Sequence, residues 1–472
     1  MTQRETKACT FLRSIPTLVG FSLSILFAIL IFDACYSAFS WGKFTISDYG
    51  KYTNVLWNCA HGHPFRELVD HTYLSTHLSF DLELLGFFFW VWDHPFLPSV
   101  LQWLGLIVGA LILWRTLHVK KIQSRIIAAL LFFYIANPFT QSVMLSEYHG
   151  VSLNFLLFPW LYHCLSCQKR FVWIPFILCL GIREETGMII TPMLLYFAVK
   201  NRWRLGYSLA ALAFLYSVFA IFVLFPWLAG VTYIVRRGNP VDLKYYWAIT
   251  AMDPFMIRGK RFIWYFMMSL VFFRKRGWIP ILLFPAVGIW VTSTSSDPWI
   301  FEQKSHYPAH HIVLFTLALI EAIYVSMRQG NLMKSFNSLR YALFLILITL
   351  AWHRSKGFVY LGGCYDRIYG NIHPKGQEIL EAAQHIPKDG ILLCDPQLAG
   401  FCANRASLIV WEQLEERDYH PDIIFTRFKG MKGYPEQFKE WIQNGSFGIS
   451  YFEKGYLIVQ KGYSLNRNEE IF

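Results

Sequence analysis

Charged residues are scarce in this chain, and the sequence signatures of nucleotide-dependent enzymes are absent from it. Only 16% of the 472 residues are Asp, Glu, Lys or Arg, whereas 55% are hydrophobic and the mean hydropathy is +0.35. No Gly-rich phosphate loop of the Walker or Rossmann type, no GxSxG and no HExxH sequence occurs. These absences argue against ATP-driven and hydride-transfer chemistry. The composition is too apolar for an ordinary soluble enzyme and indicates a polytopic membrane protein.

Acidic residues are fewer than basic ones, 31 against 43, but the excess does not indicate a nucleic-acid partner. The basic residues stand in short clusters at the ends of apolar runs, not on one amphipathic face or in a tail. This distribution follows the positive-inside rule, so it reports membrane topology.

The first apolar run, residues 15–39, follows Arg4, Lys7 and Arg13 and is too long for the core of a signal peptide. We interpret it as a retained first helix with a cytoplasmic N-terminus. Spans of about 20 residues, with Lys and Arg marking the inner ends, predict about eleven crossings. The expected location is a bacterial inner membrane.

Two domains are predicted. Residues 1–352 form a transmembrane domain whose first outer loop, residues 40–97, contains an interfacial helix at residues 80–92. Residues 353–472 form a small extracytoplasmic α/β domain that begins with a helix at residues 374–385. Short β-branched and apolar runs predict its strands at 390–394, 407–410, 422–425 and 456–460. The fold class is therefore mainly α, with a small C-terminal α/β domain.

The cysteines form no metal-binding pattern. Cys164 and Cys167 make a lone CxxC at the end of an apolar run, which is typical of packing residues. Cys364, Cys394 and Cys402 lie in the predicted outer part, where two of the three can pair. The sequence leaves open which two.

Ionisable residues collect at the outer face in this topology. The stretch 47–85, rich in Asp, Glu and His, comes directly after the first apolar run. Further loops bring other residues to the same face: Glu147, Arg183–Glu185, Arg236–Arg237, Glu302 and His306. Burying ionisable groups near lipid is costly, so such a concentration is a functional-site hypothesis. No confident span carries a charge near its centre, where transporters place theirs. The pattern favours chemistry or binding at the outer leaflet.

Short motifs connect the sequence to a known family. In chain order they are Asp48-Tyr49-Gly50, Leu56-Trp57-Asn58, His61-Gly62, His77, Tyr148-His149, Arg183-Glu184-Glu185 and Ser305-His306-Tyr307. The C-terminal part adds IPKDGILLCDP, NRASLIV and PDIIF. Together they resemble DUF2079, a family of bacterial integral-membrane proteins that is similar to the lipid-dependent glycosyltransferases of the GT-C fold.

The resemblance implies a GT-C architecture that transfers a sugar from a polyprenyl-phosphate donor to an envelope glycan or lipid acceptor. GT-C enzymes use an acidic residue early in the first outer loop, which by position is Asp48. An acceptor hydroxyl needs a carboxylate within hydrogen-bond reach to take its proton. Asp48 is placed equally well to be the N-cap of a helix that starts at Tyr49. Glu147 resembles a second acidic site of some GT-C enzymes, or else it is a solvated charge at a helix end.

Arginines are candidates for binding the donor phosphate, because guanidinium groups bind phosphate oxygens bidentately. The candidates are Arg183 and the pair Arg236 and Arg237. Glu184, the neighbour of Arg183, is assigned to the same predicted binding site. The alternative for Arg183 is a salt bridge with Glu184 or Glu185, and for the pair it is contact with lipid headgroups.

Three histidines and one tyrosine complete the predicted site: His77, His149, His306 and Tyr307. Imidazole and carboxylate ligands suit several divalent metals. However, no two of these histidines have the i, i+4 spacing of ligands on one helix, so a metal is left open and no other cofactor is assigned.

The resulting prediction is a membrane glycosyltransferase-like protein that acts on lipid-linked substrates, with membrane lipid and no nucleic acid as partners. A transporter or flippase is the alternative. A non-catalytic envelope-assembly protein on the same scaffold is the third reading.

Overall fold

A computed structural model gives the structure of residues 3–43, 47–69, 71–230, 278–293, 306–328, 335–370, 375–411, 419–428 and 436–471. The helices of the first part, in chain order, are α1 (Gln3–Ser40), α2 (Ser47–Ala60), α3 (Asp81–Gly86), α4 (Leu97–Val119), α5 (Ser124–Ala136), α6 (Pro138–Leu145), α7 (Asn154–Ser166), α8 (Trp173–Ile182), α9 (Thr186–Asn201), α10 (Arg204–Phe219), α11 (Phe225–Ala229), α12 (Trp278–Ser293), α13 (Ala309–Arg328) and α14 (Ser335–Lys356). A two-residue hairpin, β1 (Arg66–Glu67) and β2 (His71–Thr72), lies in the first outer loop.

Four helices of the described residues are long and apolar enough to cross a membrane. They are Thr17–Ser40, Leu97–Val119, Arg204–Ala229 and Ala309–Arg328. The third runs from α10 through a π-helical turn into α11. The predicted first helix lies within α1. The count of about eleven crossings stays a prediction, since the predicted outer loop 229–260 and the predicted span 262–273 lie almost wholly outside the described residues.

A fifth span is formed by α5 and α6 if they are counted together, with a bend of 44° between them. The bend has a local cause in the pair Asn137-Pro138. Pro138 has no amide hydrogen to continue the α5 ladder, and it suits the first position of a new helix. The Asn137 side chain caps that helix by accepting from the Thr140 amide at 2.9 Å.

The predicted interfacial helix at residues 80–92 is helical, as α3 followed by a 3-10 turn at Phe87–Trp90. Large apolar side chains along it are exposed, among them Phe87, Trp90 and Val91. An exposed apolar face is what a helix lying in the membrane interface requires.

The C-terminal residues form a five-stranded sheet in the order β4-β3-β5-β7-β6. Its strands are β3 (Leu392–Cys394), β4 (Leu408–Val410), β5 (Ile423–Arg427), β6 (Phe447–Glu453) and β7 (Tyr456–Lys461). Strand β3 pairs in parallel with β4 and β5, and β7 pairs antiparallel with β5 and β6. Helices α15 (Asp366–Tyr369), α16 (Lys375–Ala383), α17 (Ala399–Cys402) and α18 (Glu436–Gln443) accompany it.

Four of these strands lie where the sequence predicts them, and β6 was missed. Its sequence, FGISYFE, has one β-branched residue and a glycine, and its pairing with β7 is irregular between Ile449 and Tyr451. The division of the chain at residue 352 stays a prediction.

The sheet region packs on α2 at close range. A Cβ added at Gly50 would lie 2.7 Å from Cβ of Ala399, so only glycine lets these two helices approach so closely. Asn54, one turn further along α2, donates from Nδ2 to the carbonyls of Ala403 at 3.1 Å and Arg405 at 2.7 Å. The C-terminal region is therefore held against the helix that carries Asp48.

None of the eight cysteines for which the structure gives a side chain is disulfide-bonded. Burial raises the pKa of the Cys394 thiol, and the neighbouring Cys402 raises it further. Of the three cysteines that were candidates for a pair, Cys364, Cys394 and Cys402, the last two are neighbours in the fold.

One part of the argument against transport is wrong. Glu321 lies inside the span Ala309–Arg328, fully buried, although the sequence analysis found no charge near the centre of a confident span. Its partners, Lys120 and Lys200, come from the ends of α4 and α9.

Candidate functional site

The predicted first outer loop, residues 40–97, lies directly against the break between α8 and α9. Oε1 of Glu184 is 3.0 Å from Nδ1 of His77, and Oε2 accepts from the Leu78 amide at 3.0 Å. One step further along, the Ser79 hydroxyl donates to the Ile182 carbonyl at 2.8 Å. A buried carboxylate needs such partners for both of its oxygens. The loop is thereby fixed to the break.

The break itself consists of three consecutive charged residues. Helix α8 ends at Ile182 because Arg183 has an extended backbone, with φ −162° and ψ 159°, and α9 begins at Thr186. Arg183, Glu184 and Glu185 are all buried. Since buried charges must be paired, these three side chains need partners from within the break or from the elements packed against it.

The Arg183 guanidinium lies between a carboxylate and an imidazole. Its Nε is 3.3 Å from Oε1 of Glu185, and its Nη2 is 3.0 Å from Nε2 of His77. Arginine has only donors, so Nε2 of His77 accepts and the neutral imidazole carries its proton on Nδ1, which donates to Glu184. Arg183, His77 and Glu184 thus form a directed chain. The salt-bridge alternative for Arg183 is confirmed, with Glu185 as the partner.

His310, which the sequence analysis did not single out, extends this network. It lies at the start of α13, with Nε2 at 3.9 Å from Oε1 of Glu185 and Nδ1 at 2.8 Å from Nδ2 of Asn154 on α7. The amide nitrogen donates, so a neutral His310 has its proton on Nε2, toward Glu185. The available signal was its place at the start of an apolar span, just after His306 and Tyr307 of the family-like motif.

A row of rings connects His306 with His77. His306 and His149 are stacked with ring centres 3.5 Å apart, and Tyr52 lies 5.2 Å from His149. Tyr73 continues the row, 5.2 Å from Tyr52 and 6.2 Å from His77. Three of the predicted site residues are therefore joined through two tyrosines that the prediction left out. Tyr307, the fourth, lies beside His306 at 4.1 Å.

Glu147 comes after α6 in the chain and contacts the first turn of α2. Its Oε2 accepts from the Tyr49 amide at 3.2 Å, and its carbonyl is 2.8 Å from Nδ1 of His149. A carboxylate at a helix N-terminus is favoured by the helix dipole. Glu147 is buried, so its interpretation as a solvated charge is wrong.

Asp48 is the residue before Tyr49, within the first turn of α2. The helix begins at Ser47, not at Tyr49, so Asp48 is not the N-cap of the helix as the alternative had it. Its side chain lies outside what the structure describes. The backbone nevertheless brings Asp48 next to the residue whose amide binds Glu147.

Asp81 lies at the far end of the contact between loop and break. A Cβ added at Gly181 would be 2.3 Å from its Oδ1, so the carboxyl group fills the space that this glycine leaves. Its Oδ2 is buried and has no hydrogen-bond partner among the described residues. Burial raises the pKa of Asp81 to about 7. Asp81 lies in the stretch 47–85 that the sequence analysis singled out, but it was not assigned to the site.

Two predicted features lie outside this geometry. Arg236 and Arg237 belong to residues that the structure does not describe. Within the described part of the chain, no group of three or more His, Cys, Asp or Glu side chains is arranged to hold a metal ion.

Comparison with known proteins decides the family. Residues 44–457 match the family model described as "Predicted membrane protein (DUF2079)". The chain belongs to the DUF2079 family. The resemblance inferred from the short motifs is confirmed, and the DUF2079 match includes all of the site residues described above.

No curated protein matches this DUF2079 chain. Among solved structures, it is similar to ArnT from Cupriavidus metallidurans, in a crystal structure bound to undecaprenyl phosphate. The sequence identity is 11%, the TM-score is 0.46, and the match covers 93% of this chain and 98% of that chain.

Proposed function

We propose that this DUF2079 protein transfers a sugar from a polyprenyl-phosphate donor to a cell-envelope acceptor. The observation that carries the proposal is the buried network of Arg183, His77, Glu184 and Glu185, next to the helix on which Asp48 lies. Ionisable groups buried in a membrane bundle are costly, and they are typical of functional sites. This network lies at one end of the bundle, where a lipid-linked substrate can present its polar head.

A carboxylate near the start of α2 is the proposed base. The oxygen of the acceptor hydroxyl attacks the anomeric carbon of the sugar, and the hydroxyl proton passes to the carboxylate. The bond between the anomeric carbon and the phosphate oxygen breaks, and the lipid phosphate leaves with the electron pair. Asp48 is the first candidate for the base, and Glu147, bound to the neighbouring amide, is the second.

Arg183 is proposed to face the phosphate as it leaves. Glu185 and His77 fix the guanidinium before a substrate arrives. Charge that is oriented in advance stabilises a developing anion without the cost of reorganisation. Arg236 and Arg237 stay candidates for the same phosphate.

The row of rings from His306 to Tyr73 is proposed to bind the sugar. Aromatic and imidazole rings offer flat faces, and the phenol and imidazole edges offer hydrogen-bonding groups. A pyranose has a similar division between its apolar faces and its polar rim. Tyr52, at the middle of the row, is the residue whose loss is expected to weaken sugar binding most.

The test is transfer by the purified full chain in liposomes, with radiolabelled polyprenyl-phosphate sugars as donors. We expect Asp48→Asn or Glu147→Gln to lower the rate by about 10² to 10⁴, the range for a general base. Asp93→Asn, which changes an exposed carboxylate of the same loop, is the matched control. Wild-type rates in both carboxylate variants would remove the proposed mechanism.

The same preparation separates the alternatives. A transporter would move substrate across sealed vesicles without a donor lipid. A non-catalytic assembly protein would bind the donor and release no product.

A further inference from the structure

A second charged cluster lies at the far end of two helices that begin at the candidate site. Helix α9 begins next to Glu185 and carries Lys200 in its last turn, and α13 begins next to His310 and carries Glu321. A rise of 1.5 Å per residue puts these charges about 22 Å and about 17 Å away from the site, respectively. The cluster is therefore separate from the site described above.

Glu321 is the carboxylate of this cluster, and both of its oxygens are engaged. Nζ of Lys120 lies 2.9 Å from Oε2, and Lys200 binds Oε1. The hydroxyl of Tyr162 donates to Oε2 at 2.9 Å, and that of Tyr196 donates to Oε1 at 3.3 Å. The side chain of Glu321 is fully buried.

Three cations share one aromatic ring. Nζ of Lys120 lies 4.1 Å from the ring centre of Tyr324, Nζ of Lys200 lies 5.1 Å from it, and the Arg328 guanidinium lies 5.0 Å from it. Cation–π contacts of this kind stabilise the cations but do not neutralise them. With Glu321 as the one carboxylate among these residues, the cluster carries a net charge of two positive units.

The neighbouring sequence supplies no further acid. Residues 118–125, 163–173, 199–207 and 322–340 contain no Asp and no Glu. The positive-inside rule explains basic residues in such segments, but it does not explain why a lysine among them is buried. Lys120 has a side-chain exposure of only 5%, and it shares its one carboxylate, Glu321, with Lys200, so the buried positive charge is only partly compensated.

We propose that this cluster binds a phosphate group, either the phosphodiester headgroup of an anionic phospholipid or a free phosphate. Each ammonium has three donors and uses one of them on Glu321. Lys200, with a side-chain exposure of 29%, opens the cluster to a ligand. A phosphate compensates the excess charge and accepts from several of the remaining donors at once.

Native mass spectrometry of the full chain tests this in nanodiscs of phosphatidylglycerol or of phosphatidylcholine, each with and without added inorganic phosphate. Retention of phosphatidylglycerol and not of phosphatidylcholine identifies the lipid as the source. Retention of inorganic phosphate in phosphatidylcholine nanodiscs identifies free phosphate.

Two of the variants, Lys200→Met and Glu321→Gln, change the net charge of the cluster in opposite directions. Lys200→Met is expected to weaken binding about tenfold or more, the range for a hydrogen bond to a charged group, and Lys200→Arg is expected to retain it. Glu321→Gln removes the competing carboxylate and is expected to strengthen binding. Lys169→Met, which changes an exposed lysine of a neighbouring basic segment, is the control and is expected to change nothing.

A purely structural ion pair behaves differently. In that case Lys200→Met and Glu321→Gln both lower the thermal stability, and neither phosphate source is retained. That outcome would overturn the proposal, as would a change of affinity in the same direction in both variants. If Glu321→Gln does not fold, the test depends on Lys200→Met. In that case the proposal is overturned if Lys200→Met retains as much of the phosphate ligand as the wild type does.

Discussion

Replacing Asp81 by Asn should change how the stability of the protein depends on pH. Asp81 is only 7% exposed, its Oδ1 fills the space beside Gly181 of α8, and its Oδ2 has no hydrogen-bond partner among the described residues. Burial disfavours the charged form and raises the pKa of Asp81 to about 7 in the folded protein. In the unfolded chain, the pKa of an aspartate is about 3.9.

The sign and size of the effect follow from this difference. Between pH ~3.9 and about 7 the unfolded chain has lost the proton and the folded protein has kept it. Raising the pH through this window therefore lowers the free energy of unfolding. The loss is complete once the pH exceeds the folded pKa, and it amounts to about 4 kcal/mol at ~1.4 kcal/mol for each pKa unit. Asparagine stays neutral at every pH, so the free energy of unfolding of Asp81→Asn lacks this fall with rising pH.

The assay is thermal unfolding in detergent, followed by the fluorescence of the 18 tryptophans between pH 4.5 and 8.5. The amide changes stability at every pH, so the informative quantity is the difference between the two pH profiles. We expect the wild type to lose stability relative to Asp81→Asn as the pH rises to about 7. Asp93→Asn, at an exposed site of the same loop, should keep the wild-type profile. Parallel profiles for the wild type and Asp81→Asn would refute the reasoning.

Three further predictions concern contacts that hold the site. Gly181→Ala puts a methyl group 2.3 Å from Oδ1 of Asp81 and should cost about 1–3 kcal/mol by overpacking, measured by thermal unfolding; adding Asp81→Ala should recover part of the loss. Asn54→Ala removes two hydrogen bonds to the C-terminal region, which should make that region more susceptible to limited proteolysis; Asn466→Ala, at an exposed position of the C-terminal region, is the comparison. Glu184→Gln replaces the carboxylate that accepts from His77 with a neutral amide and should lower transfer more than it lowers donor binding, which a separate binding assay measures.

Local patterns predicted much of the secondary structure. Apolar runs bounded by basic residues, at 98–117 and 310–327, predicted α4 and α13 to within a few residues, because length and hydropathy are local properties. The bend between α5 and α6 has an equally local cause, in Asn137 and Pro138, but the sequence analysis did not use it. Strand β6 was missed because its glycine-containing sequence lacks the β-branched run on which the prediction relied.

The candidate site was predicted as a set of residues, not as a geometry. The sequence analysis named Arg183, His77, His149 and His306, and the fold brings these into one connected group. It did not find His310, whose relevance depends on where α13 begins relative to the α8 break.

The sequence by itself determined that this is a membrane protein of the DUF2079 family with ionisable residues concentrated in its loops, because composition, hydropathy and short motifs depend on neighbours along the chain. Only the tertiary structure decided which charges meet: that Arg183 pairs with Glu185, that Glu147 binds the first turn of α2, and that Glu321 lies between two lysines. The contacts of Glu147 and Glu321 join segments that are far apart in sequence, and a buried charge is tolerable only where such a partner arrives.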